Sequence, residues 1–217
     1  MKSFKKGDLF CGAKGRKMIN SSLPPGATPL TPEDFEGLIP KYITTRTELN
    51  DAEFTNITSA TKKYLLSGKK FAFSFDSLLK LHKEMFGKVW KWAGKKRRTE
   101  RNIGVNFYYI DIEIKKFLDD LDYWLHNSMN IIEISARTHH RLVYIHPFIN
   151  GNGRWARLAV NLLLKDHSGL TLKFPENDLI LSTEIRNNYI NALQLADQNV
   201  FSNMIDFHKK HITEFNF

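Results

Sequence analysis

Apolar residues recur at helical spacing along most of this chain. From Thr47 to Leu66, Leu49, Phe54, Ile57, Ala60 and Tyr64 mark a helix, and Ser67-Gly68 ends it. Ser74 to Phe86 continues the pattern through Leu78, Leu79, Leu81 and Met85, with Gly87 as a candidate C-cap. Asp111 to Asn127 carries a wide stripe of Ile112, Ile114, Phe117, Leu118, Leu121, Trp124 and Leu125. Further helices are predicted over Glu133–Ile145 and Gly153–His167, and near Leu181–Ala196 and Val200–Phe215. Thr31-Pro32-Glu33 reads as a helix start, with proline at the first helical position. One stretch breaks the helical period. Between residues 96 and 109, Ile103, Val105, Phe107 and Tyr109 alternate with other residues, as one side of a hairpin would. The pattern predicts an all-α bundle with one small β-hairpin and no internal repeat.

The flanks differ. Residues 1–30 hold Gly, Ser and Pro with little periodicity, which predicts an extended, partly mobile arm ahead of one domain over 31–217. The chain's 217 residues suffice for one well-buried domain. A single cysteine, Cys11, excludes an intramolecular disulfide. No apolar run approaches the length of a membrane span, and the N-terminus lacks the apolar core of a signal peptide. These features predict a cytoplasmic protein. The formal charge of +9 permits nucleic-acid or acidic partners without demonstrating them. The excess sits partly in Lys2, Lys5, Lys6, Lys14, Arg16 and Lys17, and partly in Lys95-Lys96-Arg97-Arg98 and Arg101. Solvated charge is the simpler account of both clusters.

The chemistry concentrates in His146-Pro-Phe-Ile-Asn-Gly-Asn-Gly-Arg-Trp-Ala-Arg157. Two glycines let the backbone between Asn150 and Gly153 turn tightly and approach a ligand. The helix that follows would aim its first N–H groups and positive dipole end at one spot, an anion site. Arg154 and Arg157 stand three apart, and each can fork onto phosphate oxygens. His146 precedes the cradle and can accept a proton at neutral pH. A capped turn with a structural histidine is the bland alternative, but the number of positions that fit one phosphate-ester mechanism favours a site. Trp90 and Trp92 read as core packing. His126, His139, His140 and His146 lack zinc-ligand spacing and read as structural apart from His146.

This stretch resembles the signature of the Fic family, H-x-F-x-[D/E]-G-N-G-R-x-x-R, departing from it only at Asn150. PPGATPLTPEDFEGLIPKYITTRTELNDAE, MFGKVWKWAG and RTERNIGV extend the resemblance over roughly residues 24–165, toward the subfamily called mobile mystery protein B. The resemblance implies a Fic-type helical bundle with a hairpin flap. It implies transfer of AMP from ATP to a Ser, Thr or Tyr hydroxyl of a target protein. His146 would be the general base; backbone N–H groups of Gly151, Asn152 and Gly153 and the Asn152 side chain would hold the phosphates, with Arg154 and Arg157 as clamps. Phe148 would anchor the loop to the core. The family's acidic residue holds Mg²⁺; Asn150 brings a carbonyl without charge, so metal binding would be weak. Arg97–Phe107 would be the flap, with Ile103, Gly104 and Val105 docking the target strand. Its basic residues hint at an acidic target surface.

Many members are restrained by a motif [S/T]-x-x-x-E-[G/N] whose glutamate pairs with the second signature arginine, here Arg157. Glu36-Gly37 and Glu176-Asn177 carry the ending, but Pro32 and Leu172 stand where Ser or Thr is required. Any inhibitor would therefore be degenerate or come from a partner. The subfamily resemblance implies a mobile-element, toxin-like setting and a co-encoded helix-turn-helix partner. Two other readings stay open: a nucleotide-binding regulator without turnover, favoured by Asn150, and a nucleic-acid-binding module, favoured by the charge.

Overall fold

The computed structural model describes residues 26–180 and 183–215. Most of the basic arm lies outside the described residues, as does Leu181. Helix α1 (Pro32–Phe35) has Pro at its start and a capping box between Thr31 and Asp34. A second capping box, Thr45 with Glu48, opens α2 (Arg46–Leu65). Ser74 caps α3 (Phe75–Phe86) through the Ser77 N–H. After a short 3₁₀ turn (Phe107–Tyr109) come α4 (Ile110–His126), α5 (Ile131–Ile145) and α6 (Asn152–Ser168). The chain ends with β1 (Leu170–Leu172), α7 (Glu176–Ile180), α8 (Glu184–Asp197), α9 (Ser202–His211) and β2 (Ile212–Glu214).

The expected helices are present, with boundaries shifted by a residue or two. The main exceptions are α8, which starts after its Thr183 cap, and the last segment, where α9 gives way to β2. α6 runs through the core: Trp155, Ala156, Ala159, Leu162 and Leu163 are fully buried. It packs most extensively on α5, while α2 and α3 pair with each other and also touch it. Trp90 and Trp92 are buried and stack at 4.8 Å, as core residues. Gly169 turns the chain in the left-handed region, with φ +67°, and β1 then pairs antiparallel with β2, Leu172 opposite Ile212. The Asn161 side chain on α6 holds both backbone groups of Leu172, at 2.7 and 3.2 Å. This reversal sends the following segment back along α6 toward its N-terminal end.

The two-stranded sheet is therefore not where the sequence pattern placed one. Residues 97–106 form no hairpin. The alternation is real, since residues 103, 105 and 107 are half-buried and 102, 104, 106 and 108 exposed. A side chain replaces the strand partner. Arg97 donates to the carbonyls of Thr99, at 3.0 Å, and Val105.

Candidate active site

Helix α5 ends on His146, which adopts φ +50° as its C-cap. Its Nδ1 lies 3.2 Å from the Val143 carbonyl and so carries the proton. Nε2 is then an acceptor, and the Thr28 hydroxyl donates to it at 3.1 Å. The side chain is buried, and desolvation lowers its pKa to about 4, with the charges of Arg97 and Arg101 adding to the effect and the Val143 bond opposing it. A neutral imidazole with a lone pair aimed at a hydroxyl oxygen is the arrangement a general base needs.

The loop behind His146 is held from below. Phe148 is fully buried, stacks on His82 at 3.6 Å and meets the Trp155 edge at 5.0 Å. His82 Nδ1 accepts from the Gly94 N–H at 3.0 Å, so Nε2–H donates to the Asn150 carbonyl, also at 3.0 Å. Burial lowers the His82 pKa to about 3, so it stays neutral in this bridging role. Sequence reading missed His82; its only signal was a polar residue inside the apolar stripe of α3. Asn152 corrects an expectation. Its side chain does not face the cleft: Oδ1 accepts from Phe148 N–H at 3.0 Å and Nδ2 donates to the Phe148 carbonyl at 2.9 Å. It is a loop clamp with 1% exposure.

Gly151 is the N-cap of α6 at φ +80°, and a Cβ there would lie 2.6 Å from the Phe86 ring. No side chain caps this helix, which leaves its first-turn N–H groups facing the cleft. The Gly151 N–H itself is taken by Asn150 Oδ1 at 2.7 Å, so the donors of the cradle are those of Asn152 onward. Asn150 Nδ2 donates to the Thr28 carbonyl at 3.0 Å. Both ends of the Asn150 amide are therefore engaged within the protein, and the position offers no carboxylate. Among the described residues no group of three His, Cys, Asp or Glu could hold a metal. These side chains alone do not fit a resident Mg²⁺; the weak site expected at Asn150 would draw its charged ligands from a bound nucleotide.

The two arginines are each held by a glutamate. Arg154 Nη1 donates to Glu53 Oε2 at 2.7 Å and lies over the Phe86 ring at 4.9 Å. Glu53, buried on α2, also accepts from Trp90 Nε1 at 2.6 Å, which fixes the pair's direction. Arg157 is buried and makes a fork with Glu176, Nε to Oε1 at 2.8 Å and Nη2 to Oε2 at 2.6 Å. The motif spacing excludes Glu176, yet it reaches Arg157 from the start of α7, delivered by the β1 reversal, with Leu172 and not a Ser or Thr four residues before it. Tyr189 also bonds Arg157. Its hydroxyl is 3.0 Å from His139 Nε2, His139 Nδ1 is 3.0 Å from His208 Nε2, and His208 Nδ1 is 2.7 Å from Ser135 Oγ. Ser135 donates onward to the Ile132 carbonyl at 2.7 Å. Every bond in this chain is satisfied with both imidazoles neutral, which is why these histidines are structural.

Three basic residues in and beside the flap also turn inward. Arg97, 2% exposed, donates through Nε to the His146 carbonyl at 2.7 Å and through its N–H to the Pro147 carbonyl at 2.9 Å. Arg101 forks onto Asp34 at 2.8 and 2.6 Å, and Lys96 pairs with Asp111 at 2.6 Å. These charges organise the flap, while Lys95 and Arg98 stay exposed. Gly104 sits at φ +109°, where a Cβ would be 2.5 Å from His146 Cβ. Ile103 and Gly104 line the cleft; Val105 instead packs on the core. The cleft is about 810 Å³ and runs from Thr28, His146 and the loop past both arginines to Leu179, Tyr189, Ile190 and Leu193.

The Fic/DOC family matches residues 72–164, which include His82, the flap and the whole His146–Arg157 stretch. The chain carries a Fic/DOC domain. It is similar to the protein adenylyltransferase fic-1 of Caenorhabditis briggsae, 33% identical over 152 residues, 68% of this chain but 29% of that protein. The chain thus spans less than a third of that curated relative's length. Among solved structures it is similar to Fic-1 (residues 134–508, E274G) of Caenorhabditis elegans, 29% identical with a TM-score of 0.56, covering 80% of this chain and 51% of the other. The BepC protein of Bartonella tribocorum with bound AMPPNP shares the fold, with a TM-score of 0.63, 21% identity and 88% and 96% coverage. Thr28, Glu53 and Glu176, which the structure brings to the Fic/DOC site, lie outside the matched residues. No described helix is long and apolar enough to cross a membrane.

Proposed function

We propose that this chain is a protein adenylyltransferase of the Fic type, transferring AMP from ATP to a hydroxyl side chain of a protein. The observation that carries the reading is the neutral His146 Nε2 accepting a hydroxyl proton at the mouth of a cleft that ends in an uncapped helix N-terminus and two arginines. In the reaction His146 takes the proton from the acceptor hydroxyl. The freed oxygen attacks the α-phosphorus, and pyrophosphate leaves. N–H groups at the start of α6 and the Arg154 guanidinium stabilise charge that grows on the phosphoryl oxygens. Arg157 can join them only when Glu176 swings away; Glu176 is half-exposed while Arg157 is buried, so the glutamate is the partner free to move. Leu179, Ile190 and Leu193 give the cleft an apolar end suited to a nucleoside. Support for the nucleotide comes from the names of the relatives and from the AMPPNP bound by BepC.

The flap residues Ile103 and Gly104 would face the target backbone. We also place the protein in the cytoplasm, with the mobile mystery protein B subfamily and a co-encoded helix-turn-helix partner as the corresponding setting. A regulator that binds nucleotide without turnover is favoured by the uncharged Asn150 and by the Arg157–Glu176 fork. Incubation with ATP labelled in the α-phosphate and a cell extract separates the two. Transfer to extract proteins by the parent and not by His146→Ala is expected; nucleotide binding with no transfer, even in Glu176→Ala, would leave the regulator.

A further inference from the structure

We propose that Thr28 is itself an acceptor, so that the chain adenylylates its own N-terminal segment within one molecule. This rests on the transferase reading above. Residues 26–30 have no helix or strand of their own, yet they are held over the cleft from both sides. Asn102 on the flap donates to the Ala27 carbonyl at 3.1 Å, and Asn150 on the catalytic loop donates to the Thr28 carbonyl at 3.0 Å. Leu30 is buried in the core and anchors the segment's far end. Between these grips the Thr28 hydroxyl donates to His146 Nε2 at 3.1 Å.

The backbone is thus gripped between flap and loop while a single hydroxyl meets the base. The neighbouring hydroxyl, Thr31, is engaged as the cap of α1 and lies outside this arrangement. Ala27 and Pro29 have no acceptor group, so within residues 26–30 the placement selects Thr28 alone. Thr28 also lines the same cleft as Gly153, Arg154 and Arg157, so its hydroxyl opens onto the space where a phosphate chain would be held.

In the step, the Thr28 O–H proton passes to His146 Nε2 and a bond forms between Thr28 Oγ and the α-phosphorus of ATP. The bond from that phosphorus to the α–β bridging oxygen breaks, and its electron pair leaves with pyrophosphate. The proton then leaves His146 for pyrophosphate or water. The product is a Thr28 phosphodiester of AMP. Because the acceptor is tethered beside the base, no encounter between chains is required.

The test incubates the purified full chain with ATP labelled in the α-phosphate, maps the labelled peptide by mass spectrometry and follows the rate at several protein concentrations. A parallel sample adds a cell extract. The expected result is label on the peptide holding Thr28, with a rate constant unchanged on dilution. It is retained in Thr28→Ser and lost in Thr28→Val, whose circular dichroism matches the parent's. Label on extract proteins but none on Thr28, or self-label that persists in Thr28→Val, would overturn the proposal and leave the transferase reading intact. A rate constant that falls with dilution would overturn the tethered route. Label on nothing, with Glu176→Ala included, would overturn both.

Discussion

His146 shows what a residue can and cannot disclose by its type. A histidine before a glycine loop was legible as a candidate base, because few side chains transfer protons near neutral pH. Its tautomer was not legible, since that depends on the Val143 carbonyl one helical turn back. Its environment sets a testable limit: with the pKa lowered to about 4, mainly by burial, the imidazole stays neutral well below its ordinary titration range. The acid limb of single-turnover transfer should therefore fall below pH 6, and a limb centred near 6.5 would show a solvated base. Arg154 was legible as a candidate phosphate clamp, but its partner Glu53 lies about a hundred residues away on α2, beyond any local pattern. Arg154→Ala removes a charged donor worth about 1.5–3 kcal/mol, so transfer efficiency should drop by roughly ten- to a hundredfold. Nucleotide affinity measured by calorimetry should fall with it, because a clamp on phosphate acts before and during the reaction.

At the scale of elements, the helices were readable because each buries a stripe at its own period, and Thr31, Thr45, Ser74 and Thr183 cap them as such residues do. The flap was misread for a physical reason. Its inside–outside alternation is that of a strand, but Arg97 satisfies carbonyls that a partner strand would have taken. That close docking needs glycine at 104, where a Cβ would collide with His146. Gly104→Ala should push the flap off the base, lowering transfer at least tenfold while circular dichroism shows the helices retained. The Arg157–Glu176 fork arises from a topology, the β1 return along α6, that no spacing rule captures. Glu176→Ala should free Arg157 for phosphate and raise the transfer rate on the order of tenfold, the equivalent of about 1.4 kcal/mol. An unchanged rate would show that the fork does not restrain the site.

For the whole molecule, the +9 charge suggested a surface property, yet Arg97, Arg101, Arg154 and Arg157 are bound into the fold. The buried histidines have a clearer global consequence. His82 and His208 have folded pKa values lowered to about 3 and His146 to about 4, in each case mainly by burial. Unfolded, each would titrate at the ordinary value of 6.5. The unfolded chain therefore binds more protons between these values, so their stabilisation is full above pH 6.5 and is lost as pH falls toward 4. Each contributes a slope of about 1.4 kcal/mol per pH unit within that window. Stability measured by urea unfolding should decline steeply from pH 6.5 to 4.5, and a flat profile would contradict neutral buried imidazoles. Nucleotidyl transfer by this site is tested most directly by its stoichiometry. With Glu176→Ala, an extract of acceptor proteins and doubly labelled ATP, protein-bound α-label and released pyrophosphate should accumulate in equal amounts, and His146→Ala should give neither. Release of orthophosphate in place of pyrophosphate, or γ-label on the protein, would contradict nucleotidyl transfer by this site.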